Sequence, residues 1–432
     1  MSESAPAINL TPANIRADAL ATPGTGLRIL GFAILIIAFV MGMRTPDQGL
    51  FLRTWMQSWL FVTSISLGAL FFLIVHHITH AGWSVVVRRP AEAIAANLQW
   101  LWIGFLPFVF YWWKGELDFI FPWANLAALK EISLAEAELV AKKSAFLNEK
   151  FFMIRAAVYV LTWFVLARFF VGNSVAQDSD GSVAHTKKLE KWAGPAAILF
   201  GLTTSFAAFD WIMSLNPAWF STMFGLYFFV GCCTGGFAYI GIVCLRLQSL
   251  GYLKGIITTE HYQDIGKLLF AFGVVFWAYI AFSQYMLIWY GNIPEETAWF
   301  LARQIGEWRW ISVVLLFGHF ILPFLFLISR WTKRWRGTLL FACVWMVAAQ
   351  WFDLYYLIQP KIPHDIGAYD TYEQILAQYS NESAHFLSPW NWVLLIGFML
   401  MLTGSTMRRL SSMGLLCIKD PRLTESLRFE NM

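Results

Sequence analysis

The sequence predicts an all-α polytopic membrane protein of about ten transmembrane helices, and three observations predict it. Apolar residues make up 58% of the 432 and charged residues only 13%, whereas soluble chains average about a quarter charged. Ten apolar segments reach the ~20 residues that a helix needs to cross a ~30 Å hydrocarbon core. Finally, 23 Trp and 39 Phe suit a chain with many lipid–water boundaries to anchor.

In chain order, residues 1–26 are small and polar, with Pro6, Pro12 and Pro23, and read as an N-terminal tail. The first apolar run starts at Leu27 and ends in Met-Gly-Met-Arg-Thr-Pro without a small-x-small cleavage site, so it reads as a retained helix over 27–43. Further spans are expected over 59–80, 93–113, 151–171, 194–215, 219–245, 265–290, 310–328, 339–359 and 390–407, followed by a C-terminal tail over 411–432. An even number of crossings puts both termini on one side. Most of the Lys and Arg lie on that side, with Arg330, Lys333, Arg334 and Arg336 as the clearest marker, which makes it cytoplasmic. No basic cluster reads as a nucleic-acid surface. On the opposite side, residues 124–150 alternate apolar and charged positions as an amphipathic helix does, and 361–389 form a second long loop with Tyr369, Tyr372 and Tyr379. The run Gly231-Cys232-Cys233-Thr234-Gly235-Gly236 is a small-residue face that lets helices approach closely.

An internal echo suggests how the spans group. Phe209-Asp210 stands six residues before Asn216-Pro217, and Phe352-Asp353 stands in the same register before Gln359-Pro360. This predicts two four-helix bundles, 59–215 and 219–359, inside a ten-helix domain over 27–410, each with an acid on its last helix. An intramembrane acid reads as functional by default; the bland alternative is a hydrogen bond to a neighbouring helix.

Depth follows from the 1.5 Å rise per residue: Asp210 and Asp353 lie about 8 Å below the outer surface and His319 about 14 Å. His76, His77 and His80 mark the inner end of the second span, with His76 and His80 at i,i+4, and Lys267 opens the seventh. Carboxylates and imidazoles take and release protons, so Asp210, Asp353, His319, His76, His77 and His80 are candidates for a proton route. A quinone ring asks for an apolar slot with a few polar groups, and Asp210, Tyr279, Gln284 and His319 are candidates for it. A satisfied core histidine is the bland reading of His319. The histidine cluster lacks a third ligand, so no metal site is expected. The five cysteines show no C-x-x-C spacing, which argues against haem attachment or an iron–sulfur cluster in this chain.

Three segments carry a resemblance. Phe276-Trp277-Ala278-Tyr279-Ile280-Ala281-Phe282-Ser283-Gln284-Tyr285 through Gly291-Asn292-Ile293-Pro294-Glu295-Glu296-Thr297, with His76-His77-Ile78-Thr79-His80-Ala81-Gly82-Trp83 and Phe209-Asp210-Trp211-Ile212-Met213-Ser214-Leu215, resemble the second quinone-binding-type membrane subunit of bacterial alternative complex III. The wider superfamily is the NrfD/polysulfide-reductase type of membrane anchor, built from two four-helix bundles. The resemblance implies quinol (menaquinol or ubiquinol) as the cofactor, iron–sulfur and c-type cytochrome subunits on the outer face, and a paralogous NrfD-like subunit beside it in the bacterial cytoplasmic membrane. It equally implies a role in respiratory or photosynthetic electron transport without a redox centre in this chain. Two alternatives stand beside it: an anchor of a polysulfide- or nitrite-reductase-type complex, and a proton-coupled transporter. Transporters usually break paired helices near the midplane, and the deep Pro323 has no counterpart in the other half.

Overall fold

The computed structural model describes residues 10–363, 366, 369 and 371–431; residues 1–9 of the expected N-terminal tail lie outside the described residues. All regular structure among the described residues is helical. Among the described residues nine helices are long and apolar enough to cross a membrane, and a bent pair, taken as one span, makes ten. The protein is an all-α polytopic membrane protein.

The spans are α1 (Ala21–Gly42), α2 (Gln48–Ile78), α3 (Val85–Gln99 with Leu101–Lys114), α4 (Glu149–Asp180), α5 (Val183–Trp211), α6 (Phe224–Ser249), α7 (Thr259–Gly291), α8 (Trp308–Leu327), α9 (Arg336–Ile358) and α10 (Pro389–Met413). Local chemistry sets the ends. Asp47, Asn148 and Ser182 accept backbone N–H groups at the starts of α2, α4 and α5, satisfying donors that a first turn leaves free. Gly181 and Asn292, both left-handed at φ 72° and 45°, close α4 and α7, as a helix stop favours.

Several helices outrun their sequence-based bounds. The chain is helical from Ala21 rather than Leu27, and α2 begins at Gln48 rather than 59, because Arg53 and Gln57 sit buried within its first turns and so carry no surface signature. The span expected over 93–113 starts at Val85 and bends by 42°. The bend falls where two short 3₁₀ turns, Ala96–Gln99 and Leu101–Phe105, interrupt it.

α2 and α6 form the centre and are buried along most of their length. They touch backbone to backbone: a Cβ on Gly68 would stand 1.9 Å from the Cys232 carbonyl oxygen, and one on Gly236 2.6 Å from the Gly68 carbonyl carbon. Only glycine fits there, and the small-residue run of α6 is thereby explained. α3, α4 and α5 pack with α2 on one side; α7, α8 and α9 gather with α6 on the other. α1 and α10 pair along their whole length, with Gly24 against Gly404 and Gly31 against Gly397.

The expected tails are docked. Leu415 N–H donates to the Ile15 carbonyl and Leu253 N–H to that of Asn14. Ser426 donates to the Trp83 carbonyl (2.6 Å) and its own carbonyl accepts from His261 Nε2 (3.0 Å). Residues 414–431 thus tie the α2–α3 connection to the first turn of α7.

Candidate functional site

The two echoing acids have different surroundings. Asp210 on α5 is fully buried and faces Arg155 of α4, which donates in a fork from Nε to Oδ2 (2.7 Å) and Nη2 to Oδ1 (2.8 Å). Tyr159, one turn further along α4, donates a third bond (2.7 Å). The guanidinium also stacks on Phe146 and Phe151 and donates to the Phe146 carbonyl. Such a planar fork is geometrically specific, and it makes Asp210 a charge-neutralised tie between two helices.

Asp353 on α9 is equally buried but receives only neutral donors, the Tyr227 hydroxyl (2.6 Å) and the Trp277 indole N–H (3.1 Å). It forms no ion pair among the described residues. A lone carboxylate in apolar surroundings costs several kcal/mol of desolvation, which these two hydrogen bonds offset in part. The last turn of α9 just beyond it is held by cations. Arg303 donates to the Tyr356 and Leu357 carbonyls (3.0 and 3.1 Å), and Arg53 of α2 to those of Ile358 and Pro360 (3.3 and 3.4 Å). Both complement the negative end of the helix. Burial lowers the Arg303 guanidinium to about 9, which leaves it a cation at neutral pH.

Trp277 links Asp353 to His319. The indole lies flat on the imidazole, centroids 3.9 Å apart and planes 7° from parallel. His319 Nε2 donates to the Gly273 carbonyl (3.2 Å), and its buried Nδ1 has no partner among the described residues. Both ends of that bond lie in π-helical turns, Leu269–Phe276 in α7 and Leu316–Ile321 in α8. Such turns are rare and cluster at functional sites.

Beside this group a cavity of about 760 Å³ opens between α7 and α8, within the range that takes a small-molecule ligand. Aromatic and aliphatic side chains line most of it, from the exposed Tyr279 and Phe282 inward to Trp277 and Tyr227. Polar groups are few: Gln284, Gln304, Ser312 and the hydroxyls of Tyr227 and Tyr356 among them. Gln284 is 3% exposed, and its buried Oε1 has no partner among the described residues.

No protein-family model and no curated protein matches the chain.

The remaining candidates lie apart. α2 ends at Ile78 and His80 adopts a left-handed φ of 51°, so the helical i,i+4 face expected for His76 and His80 does not form. His80 turns outward to Glu190 (3.0 Å). His76 is buried between Ser84 Oγ (2.7 Å) and Arg88 (3.0 Å), and His77 stacks on Phe170. Around them Arg88 pairs with Glu92 and Asp420, and Arg89 with Glu92 and Asp178, a buried charge cluster tied to the C-terminal segment. Lys267 is half-exposed on Asp264. Among the described residues no group of three or more His, Cys, Asp or Glu is placed to hold a metal. The structure therefore gathers Asp353, Tyr279, Gln284 and His319 near one cavity and leaves Asp210 and the histidine cluster elsewhere.

Sequence reasoning passed over Arg155, Tyr159, Tyr227, Trp277 and Arg303. Arg155 carried a signal, a cation inside an apolar run, but it reads equally well as the edge of a charged loop.

Proposed function

We propose that this chain is a membrane subunit of a quinol:acceptor oxidoreductase of the alternative complex III type, and that its α7–α8 cavity takes the quinol ring. The observation that carries this reading is the cavity itself: an apolar slot lined from the exposed Tyr279 and Phe282 inward to Tyr227, which is hydrogen-bonded to the cation-free Asp353, with the Gln284 side chain on its wall. A quinol is a flat apolar ring with two hydroxyls, and such a wall complements it.

On this reading the Gln284 side-chain amide hydrogen-bonds one quinol oxygen and orients the ring. Oxidation releases two electrons and two protons. The electrons leave for an acceptor on partner subunits, the iron–sulfur and c-type cytochrome proteins that the sequence resemblance implies. One proton reaches Asp353 through the Tyr227 hydroxyl, which passes its own proton to the carboxylate as it takes one from the quinol side, and the other is released to water at the mouth of the cavity. The chain sits in a bacterial cytoplasmic membrane with both termini inside, as its Lys and Arg distribution supports, next to a paralogous subunit. The anchor and transporter alternatives gain no specific observation.

Trp277 and Trp299 line the cavity, so binding has an intrinsic probe. Titrating the full chain in detergent with a short-tailed menaquinone analogue should quench tryptophan fluorescence saturably. Gln284→Leu should weaken that binding about tenfold, the loss of one buried hydrogen bond, and Ala281→Trp, which fills the slot, should abolish it. Quenching that neither substitution changes would overturn the assignment. Isolation in mild detergent with a haem stain and an iron assay tests the partner set separately.

A further inference from the structure

We propose a second, unrelated site: Arg28, Arg168 and Arg409 bind the phosphate of an anionic phospholipid whose acyl chain runs up the groove between α1, α10 and the bend of α3. Three helices contribute the cations, α1, α4 and α10. α1 and α10 touch at this level, a Cβ on Gly404 standing 2.6 Å from the Arg28 backbone N, and α4 packs on the Ala96–Gln99 turn whose Gln99 holds Arg409. No carboxylate pairs with any of the three among the described residues, and the one hydrogen bond that holds the group is from Arg409 Nη2 to Gln99 Oε1 (2.9 Å). Guanidiniums gathered without an acid repel one another, and an anion between them removes the penalty. A phosphate is the group that guanidinium forks match best.

The second observation says which phosphate. Phe32, Leu35, Ile36 and Phe39 stand at i+4, i+7, i+8 and i+11 from Arg28 and therefore continue its face of α1. All four line a narrow apolar cavity of about 290 Å³, closed on the other side by Trp100 and Ile103 of the α3 bend and by Phe398 of α10, among others. Gln99, which fixes Arg409, immediately precedes Trp100. The charged end and the apolar groove are thus one continuous feature. From Arg28 to Phe39 the stripe rises about 16 Å at 1.5 Å per residue, half of the ~30 Å hydrocarbon core and so the depth of one leaflet. A cavity of about 290 Å³ admits an acyl chain and is too small for a helix, which is ~10 Å across. The 42° bend of α3 is what opens it.

The test is native mass spectrometry of the full chain released from nanodiscs of equal phosphatidylglycerol and phosphatidylcholine. The wild type should retain one phosphatidylglycerol and no phosphatidylcholine. Arg28→Gln/Arg168→Gln, which changes two exposed side chains and leaves the Arg409–Gln99 bond intact, should cut retention roughly thirtyfold, the product of two surface cation contacts with an anionic lipid. Ile36→Trp should remove the lipid by filling the groove. Circular dichroism matching the wild type checks that each variant is folded. Equal retention of the two lipids would overturn the proposal, as would full retention by the double Arg variant. Retention that survives Ile36→Trp yet falls in the Arg variant would show a headgroup or phosphate site without the acyl groove, and would overturn the lipid assignment.

Discussion

Replacing each echoing acid by its amide should separate two roles that the sequence makes look identical. Asp210→Asn removes the charge facing Arg155 and at least one of the three bonds that Asp210 accepts. A guanidinium 8% exposed is then left without a counter-ion, and breaking a buried pair from one side costs about 3–5 kcal/mol. Asp353→Asn strands no cation. Its single oxygen still accepts from one of Tyr227 and Trp277, so the loss is one buried donor, about 1–2 kcal/mol. Unfolding of the two variants in mixed micelles, followed by tryptophan fluorescence, should therefore place Asp210→Asn about 2 kcal/mol below Asp353→Asn. Arg155→Met/Asp210→Leu should recover much of the deficit, because an apolar pair needs no desolvation; the stacking of Arg155 on Phe146 and Phe151 is the part it cannot restore. Equal destabilisation by the two amides, or a double variant no more stable than Asp210→Asn, would refute the distinction between a tie and a proton-exchanging acid.

Gly236→Val should cost about 3 kcal/mol or more, because its side chain must enter the Gly68 backbone at the centre of the fold; loss of monodisperse protein on size exclusion would report it. Lys143 donates to the Pro217 carbonyl (2.7 Å), and burial lowers its ammonium below the ordinary 10.5. The unfolded chain then binds more protons than the folded one, so this residue's contribution to stability rises as pH climbs toward 10.5. Lys143→Met should flatten that part of the stability–pH curve, and a slope identical to the wild type's would count against the burial. His319→Phe should keep the stack on Trp277 and remove only the bond to Gly273. It should therefore change stability by about 1 kcal/mol while leaving quinone-analogue quenching in place, since His319 does not line the cavity.

How much was legible follows from where each signal is written. Crossing segments are written locally, in the apolarity of twenty consecutive residues, and the Gly231–Gly236 run announced a close approach because only small residues permit one. Helix ends were less legible where a buried polar side chain such as Arg53 interrupts the run while bonding to a carbonyl more than three hundred residues away. The two Asp motifs match in sequence, but what makes Asp210 differ from Asp353 is supplied by Arg155, fifty-five residues upstream, and no spacing rule connects them. The cavity likewise depends on π-helical turns in α7 and α8. These add one residue per turn without altering composition, so the stretch reads as an ordinary apolar helix. Tyr279 and Gln284 were legible as polar groups on that helix; that both line the same cavity was not.

The docked segment after α10 has a consequence for how the chain comes to be made. Asp420 follows Arg88 by 332 residues yet supplies one of its two buried carboxylates, and the Ser426 hydroxyl and carbonyl bridge Trp83 and His261. During synthesis Arg88 therefore has Glu92 as its carboxylate first, and Asp420 joins it only after α10 has been made. Until residue 420 is made, Arg88 and Arg89 share Glu92, with Asp178 as the second carboxylate of the cluster, and Asp420 then adds a third.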